Sequence, residues 1–163
     1  PPGSAVILRH YEVPDRADLA RRTAALCRRR GVRLLIAGDW RLAAAVGADG
    51  VHLPEAMAWR GRPAWGGTQP RRPGFLVTAA AHSPAALWRA ARAGADAALL
   101  SPVFATASHP DADAIGVARF AAWCRGAPLP VYALGGVGPG TARRLAGTGA
   151  AGVAGLGALA GDA

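Results

Sequence analysis

Three observations predict an α/β chain whose parallel strands curl into a TIM (β/α)8-type barrel. First, three segments share one grammar: RLAAAVGADGVHL (41–53), LWRAARAGADAALL (87–100) and ARRLAGTGAAGVAGL (142–156) each run helix, glycine-alanine, strand. A repeated βα unit is a stronger signal than any single element. Second, the strands in these units are short and apolar on both faces, as parallel strands covered by helices are. Third, the glycine-rich turns come late, at Gly135-Gly136 and at 155–157. An open doubly wound sheet usually carries its glycine fingerprint after the first strand, where this chain has Arg9-His10-Tyr11. A barrel seats phosphate in the loops after its last two strands.

Val6 to Leu8 reads as the first strand. Asp15 caps a helix that runs to Arg30 and stops at Gly31, with Leu19, Thr23, Leu26 and Cys27 as its predicted inner face. Arg28-Arg29-Arg30 puts positive charge at its carboxyl end, where the macrodipole favours it. Arg33 to Ile36 is a strand, a short helix follows over 40–46, and Val51 to Leu53 is the next strand. Residues 54–74 hold four prolines and read as a long loop with one helical turn. Phe75 to Ala79 is a strand, and Ser83-Pro84 is a cap followed by a proline at the first helical position. Ala97 to Leu100 is a strand, 101–114 a loop, and Val117, Phe120, Ala121 and Cys124 a helical stripe. Strands at 131–134 and 152–154 flank a helix-like segment whose amino end would add partial positive charge at the glycines. The GALAG segment at 157–161 would be a short extra turn. Seven strands result, where a barrel has eight and usually about 250 residues. The expectation is one barrel domain over 1–163 that lacks its first β/α unit, the gap falling before Pro1.

Composition narrows the partners. All 19 basic residues are arginine, and the net charge is +9, which favours an anionic partner such as a small phosphorylated metabolite. The arginines are dispersed and not interleaved with aromatics, so nucleic acid is not the expected partner. No apolar run is long enough to cross a bilayer and no signal peptide is recognisable, so a cytoplasmic protein with no membrane partner is expected. Cys27 and Cys124 lack metal spacing and are expected to be buried, reduced side chains. A barrel short of a strand exposes two edges, so cover by a second copy in a homo-oligomer is a further expectation.

Gly135, Gly136, Gly155, Leu156 and Gly157 are candidates for holding phosphate through backbone amides, because no Cβ blocks close approach at glycine. The alternative is that βα turns simply need glycine. Arg9 is the leading polar candidate, since barrel chemistry sits at the carboxyl ends of strands; the alternative is a salt bridge with Glu12 or Asp39. His82 either supports a strand-to-helix turn or moves a proton. His52, between Val51 and Leu53, reads as a hydrogen-bonded core histidine. His109, with Asp111 and Asp113, lies in a solvated turn or a lid. Trp59 and Trp65 would wall a pocket or pack on a neighbouring subunit.

GADGVHL (47–53), AAAHS (79–83), SPVFATASH (101–109), ALGGV (133–137) and GVAGLGAL (152–159) occur in an order and spacing that resemble the thiamine phosphate synthase and TenI superfamily, over Val6 to Leu159. The resemblance implies a TIM barrel joining a pyrimidine methyl diphosphate to a thiazole phosphate, with Mg2+ on the diphosphate. It implies diphosphate contact for Arg9, thiazole contact for Thr106, and thiazole phosphate on the backbone of Gly135-Gly136. His82 matches the histidine of the family's Ser-Thr-His stretch. The departures are equally specific. Tyr11 stands where the family has lysine, Ala37-Gly38 where it has Asn-Asp, Met57 where it has the second magnesium aspartate, Ala80 where it has serine, and His109 where it has lysine. The TenI-type tautomerase histidine aligns with Pro102. These losses fall at the diphosphate and metal end, so no metal site is expected; Asp39 and Glu55 are the nearest carboxylates that could swing in. Arg9, His82 and His109 are the catalytic candidates.

Overall fold

Burial of apolar strands between a lumen and a ring of helices dictates the architecture. The computed structural model of the protein describes residues 3–58, 71–106 and 113–156. Seven strands among these residues pair in sequence order, every neighbour parallel: β1 (Ala5–Leu8), β2 (Arg33–Ala37), β3 (Gly50–Leu53), β4 (Leu76–Ala81), β5 (Ala97–Leu100), β6 (Val131–Ala133) and β7 (Gly152–Val153). Between them run α1 (Arg16–Arg30), α2 (Trp40–Ala45), α3 (Glu55–Ala58), α4 (Pro84–Arg92), α5 (Val117–Arg125) and α6 (Pro139–Ala142), the last continued by a 3-10 turn over Arg143–Leu145. The result is a curled parallel sheet of the TIM-barrel type. No helix among the described residues is long and apolar enough to cross a membrane.

Local chemistry sets the helix ends. The Asp15 carboxylate accepts from the Asp18 amide at 2.9 Å, and the α1 chain turns out through Gly31 at φ 60°. The Ser83 hydroxyl accepts from the Ala86 amide at 3.2 Å, with Pro84 in the first helical turn. The inner face of α1 differs from expectation: Ala20, Ala24 and Cys27 are buried, Leu19 and Thr23 are half-buried, and Leu26 is 46% exposed. Positions 20, 24 and 27 form one helical stripe, and small side chains let the helix lie close on the sheet. In α5 only Phe120 of the expected stripe is fully buried, and Cys124 is half-buried. Strand β4 begins one residue later than expected and runs two further, because the Phe75 amide closes a turn onto Arg72 O at 3.1 Å. The helix after β6 is only four residues long, and Gly140 within it disfavours extension. Its dipole therefore adds little. Segment 157–161 lies outside the described residues.

The repeated Gly-Ala-Asp holds more than a helix stop. The Asp49 carboxylate accepts from the Leu34 amide at 2.8 Å, and the Asp96 carboxylate accepts from the Val77 amide at 2.7 Å. Each also donates its own amide to the carbonyl of that residue, at 2.8 and 2.7 Å. Asp49 and Asp96 thus clamp the beginnings of β2 and β4, at the end of the sheet opposite the strand carboxyl termini. In the third repeat Ala151 keeps only the backbone bond, to Val131 O at 2.8 Å. Alternation finishes the layout: in β4, Val77, Ala79 and Ala81 are buried with Leu87 and Ala90 of α4, while Thr78 and Ala80 are half-buried on the other face.

Candidate ligand-binding site

A cavity of about 650 Å3 opens where the strands end. Its wall takes Ile7, Arg9 and Tyr11 from the end of β1, His52, Pro54 and Glu55 from β3 onward, and Ala80 and His82 from β4. Ser101, Ala105 and Thr106 follow β5, residues 134–141 follow β6, and Gly155 and Leu156 follow β7. The structure therefore brings Arg9, Glu55, His82, Thr106, Gly135, Gly136, Gly155 and Leu156 to one cavity. His109, Gly157, Asp111, Trp59 and Trp65 lie outside the described residues. Asp39 is not in the wall: its carboxylate caps α2, accepting from the Leu42 amide at 2.9 Å, and lies 3.9 Å from Arg16.

Gly135 and Gly136 are needed twice over. Both have positive φ, 89° and 63°, a region that costs other residues about 1–2 kcal/mol. A Cβ at Gly135 would stand 2.6 Å from Pro102 Cα, and one at Gly136 would stand 2.7 Å from Phe104 Cβ and overlap Ala105 O. The β6 turn thus lies directly on the loop after β5, joined by Val103 N–H to Leu134 O at 2.9 Å and Phe104 N–H to Gly135 O at 3.0 Å. Among the described residues the amides of Gly135, Gly136, Gly155 and Leu156 donate to no protein acceptor. Such amides in a cavity wall are donors for an anion. Thr141 braces the turn, its hydroxyl 2.8 Å from Gly136 O and 2.9 Å from the Gly138 amide.

The other half of the cavity carries the ionisable side chains. Arg9 is exposed and makes no ion pair among the described residues, so the expected alternative with Glu12 or Asp39 is not formed. His52 is 5% exposed, with Nδ1 2.9 Å from Thr78 Oγ1. Burial, reinforced by the Arg9 charge, lowers its pKa to about 4, so the ring is neutral near pH 7. It is the packed histidine the sequence suggested, and it also lines the cavity. Glu55 bridges two side chains: Oε2 is 2.5 Å from His82 Nδ1 and Oε1 accepts from Arg89 at 2.9 Å. Burial pushes its pKa up, but the hydrogen bonds from His82 and Arg89 outweigh this and hold it below the ordinary carboxylate value. His82 so ties the end of β4 to α3, while its half-exposed ring still lines the cavity.

Three of the departing positions meet. A Cβ on Gly38 would stand 3.3 Å from Tyr11 Cε1 and 3.8 Å from both Met57 Sδ and Pro54 Cγ. Arg16 backs the group, its Cζ 5.2 Å from the Tyr11 ring centroid and its Nη2 donating to Ala37 O at 2.6 Å. Nothing in sequence spacing joins Arg16 to Tyr11 or Glu55 to Arg89; only the fold does.

A parallel β/α sheet whose cavity sits at the strand carboxyl ends defines a TIM-barrel-type fold. The solved thiamine phosphate pyrophosphorylase of Pyrococcus furiosus shares this fold, with TM-score 0.72 at 24% identity, covering 94% of this chain and 72% of that one. A putative thiamine-phosphate synthase 2 of Aquifex aeolicus is 39% identical over 134 residues, 81% of this chain and 69% of that protein. A putative thiamine-phosphate synthase of Geobacter sulfurreducens is 35% identical over 160 residues, 96% and 73% respectively. The family described as thiamine monophosphate synthase matches residues 3–159, and the chain belongs to it.

Proposed function

We propose that this chain is a thiamine phosphate synthase-like barrel of thiamine biosynthesis that binds a thiazole phosphate, with its metal and diphosphate half degenerate. The observation that carries the reading is the set of unpaired amides at Gly135, Gly136, Gly155 and Leu156 in one cavity wall. They suit a phosphate, and Thr106 in the same wall suits contact with the ring it carries. The opposite half does not suit magnesium, which takes oxygen ligands including one or two carboxylates. The aligned positions offer Gly38 and Met57, Asp39 is spent on a helix cap and Arg16, and Glu55 on His82 and Arg89. Among the described residues no three His, Cys, Asp or Glu side chains converge for a metal. Loss of such charge neutralisation, several kcal/mol, would slow the joining step by roughly a thousandfold or more.

The test is calorimetric titration with thiazole phosphate beside an assay holding both family substrates and Mg2+. Binding without turnover is the expected result. Magnesium-dependent turnover at family-like rates would overturn the degenerate half; no thiazole phosphate binding would overturn the glycine seat.

A further inference from the structure

The half of the cavity that lacks magnesium donors is built around an aromatic ring. Tyr11 lines the cavity and is 48% exposed. Its Cε1 lies 3.3 Å from where a Cβ on Gly38 would stand, so the ring packs directly over that glycine. Pro54 and Met57 close the same spot from the β3 side. Arg16, with a side chain only 17% exposed, stands against the ring and is itself held by Ala37 O and Asp39. A guanidinium fixed in this way orients a ring and strengthens its contact. Its charge is shared with Asp39 and a carbonyl, so it is poorly placed to serve a diphosphate.

Resting on the phosphate seat proposed above, we infer that Tyr11 forms a metal-independent aromatic seat, and that the ligand is a phosphate monoester bearing a flat, uncharged ring at the end remote from its phosphate. A ring stacked on tyrosine takes the place that charge and metal would need for a second phosphate group. Arg9, two residues before Tyr11 in the same wall, is left to balance the negative charge of the cavity's ligand.

The experiment is calorimetric titration of the full chain with inorganic phosphate, 2-phenylethyl phosphate and inorganic diphosphate, each with and without millimolar Mg2+. The ring-bearing probe should bind roughly threefold to tenfold more tightly than inorganic phosphate. Tyr11→Ala should remove that increment, Tyr11→Phe should keep it, and Mg2+ should change neither. Equal binding of the ring-bearing probe by Tyr11→Ala and the unaltered chain overturns the seat, as does tenfold or greater tightening of diphosphate by Mg2+. Failure of inorganic phosphate to bind refutes the phosphate seat alone. In that case 2-phenylethanol decides by saturation-transfer NMR: signal lost in Tyr11→Ala supports the aromatic seat, and no signal in the unaltered chain overturns it.

Discussion

Acid should weaken this fold through one side chain before most carboxylates titrate. His52 is buried beside Thr78 with its pKa lowered from 6.5 to about 4. A histidine lowered in the folded state binds fewer protons there than in the unfolded chain between those two values. Stability is therefore full above the unfolded pKa and falls as pH drops from 6.5 toward 4. The shift of about 2.5 units corresponds to roughly 3.4 kcal/mol in the limit. Between about pH 7 and about pH 4.5 the linkage expression gives a loss of about 2.4 kcal/mol. That is a large part of a margin of 5–15 kcal/mol. Urea unfolding at the two pH values measures it, with His52→Gln as the control that removes the titrating group. The slope should be shallower in the variant by about 2 kcal/mol over that interval. An unchanged slope in His52→Gln would refute the reasoning, because the acid loss would then belong to other groups. Arg9→Gln should shift the effect only slightly, since burial and not the Arg9 charge is its main cause.

Gly136→Ala should cost about 2–4 kcal/mol, from positive φ and from overlap with Phe104 and Ala105, and should abolish phosphate binding; a variant melting within a few degrees of the unaltered chain counts against this. Asp96→Ala strands the buried Val77 amide and should cost about 2 kcal/mol, lowering Tm by roughly 4–8 °C, while Asp96→Asn, which keeps an acceptor, should lose less. Glu55→Gln should cost about 1 kcal/mol near neutral pH. Because Glu55 is lowered, its contribution is present above the ordinary carboxylate value and fades as pH falls through the lowered one, so denaturation curves of Glu55→Gln and the unaltered chain should converge in acid.

The strand order was readable because each βα unit carries its own local punctuation. Asp15, Gly31 and Ser83 act within a few residues of themselves, and those features appear where the sequence puts them. The α1 face was misjudged because Leu26 is more apolar than Ala20 or Ala24, yet close helix-sheet packing selects the small side chains. The glycines and Arg9 could be placed at strand ends from the sequence, and they do line one cavity wall. What could not be read was the pairing of Glu55, whose partners His82 and Arg89 lie 27 and 34 residues away. A signal for the Asp49 and Asp96 clamps did exist: both aspartates occupy the same place in the repeat, and repetition of a charged residue beside a buried strand implies a shared acceptor role.

The two ends of the sheet solve one problem in opposite ways. Strand amides that lack a ladder partner must find an acceptor or water. At the strand beginnings Asp49 and Asp96 supply carboxylates, and the backbone there is closed. At the carboxyl ends, among the described residues, Thr141 accepts from the Gly138 amide, but no side chain accepts from the amides of Gly135, Gly136, Gly155 or Leu156. An acidic residue at Gly155 or Leu156 would satisfy those amides from within and remove the need for an external anion. Leu156→Asp should consequently raise stability slightly or leave it unchanged while weakening phosphate binding by tenfold or more, since a carboxylate would both occupy the donors and repel the ligand. A Leu156→Asp chain that binds phosphate as tightly as the unaltered protein would place the anion elsewhere in the cavity.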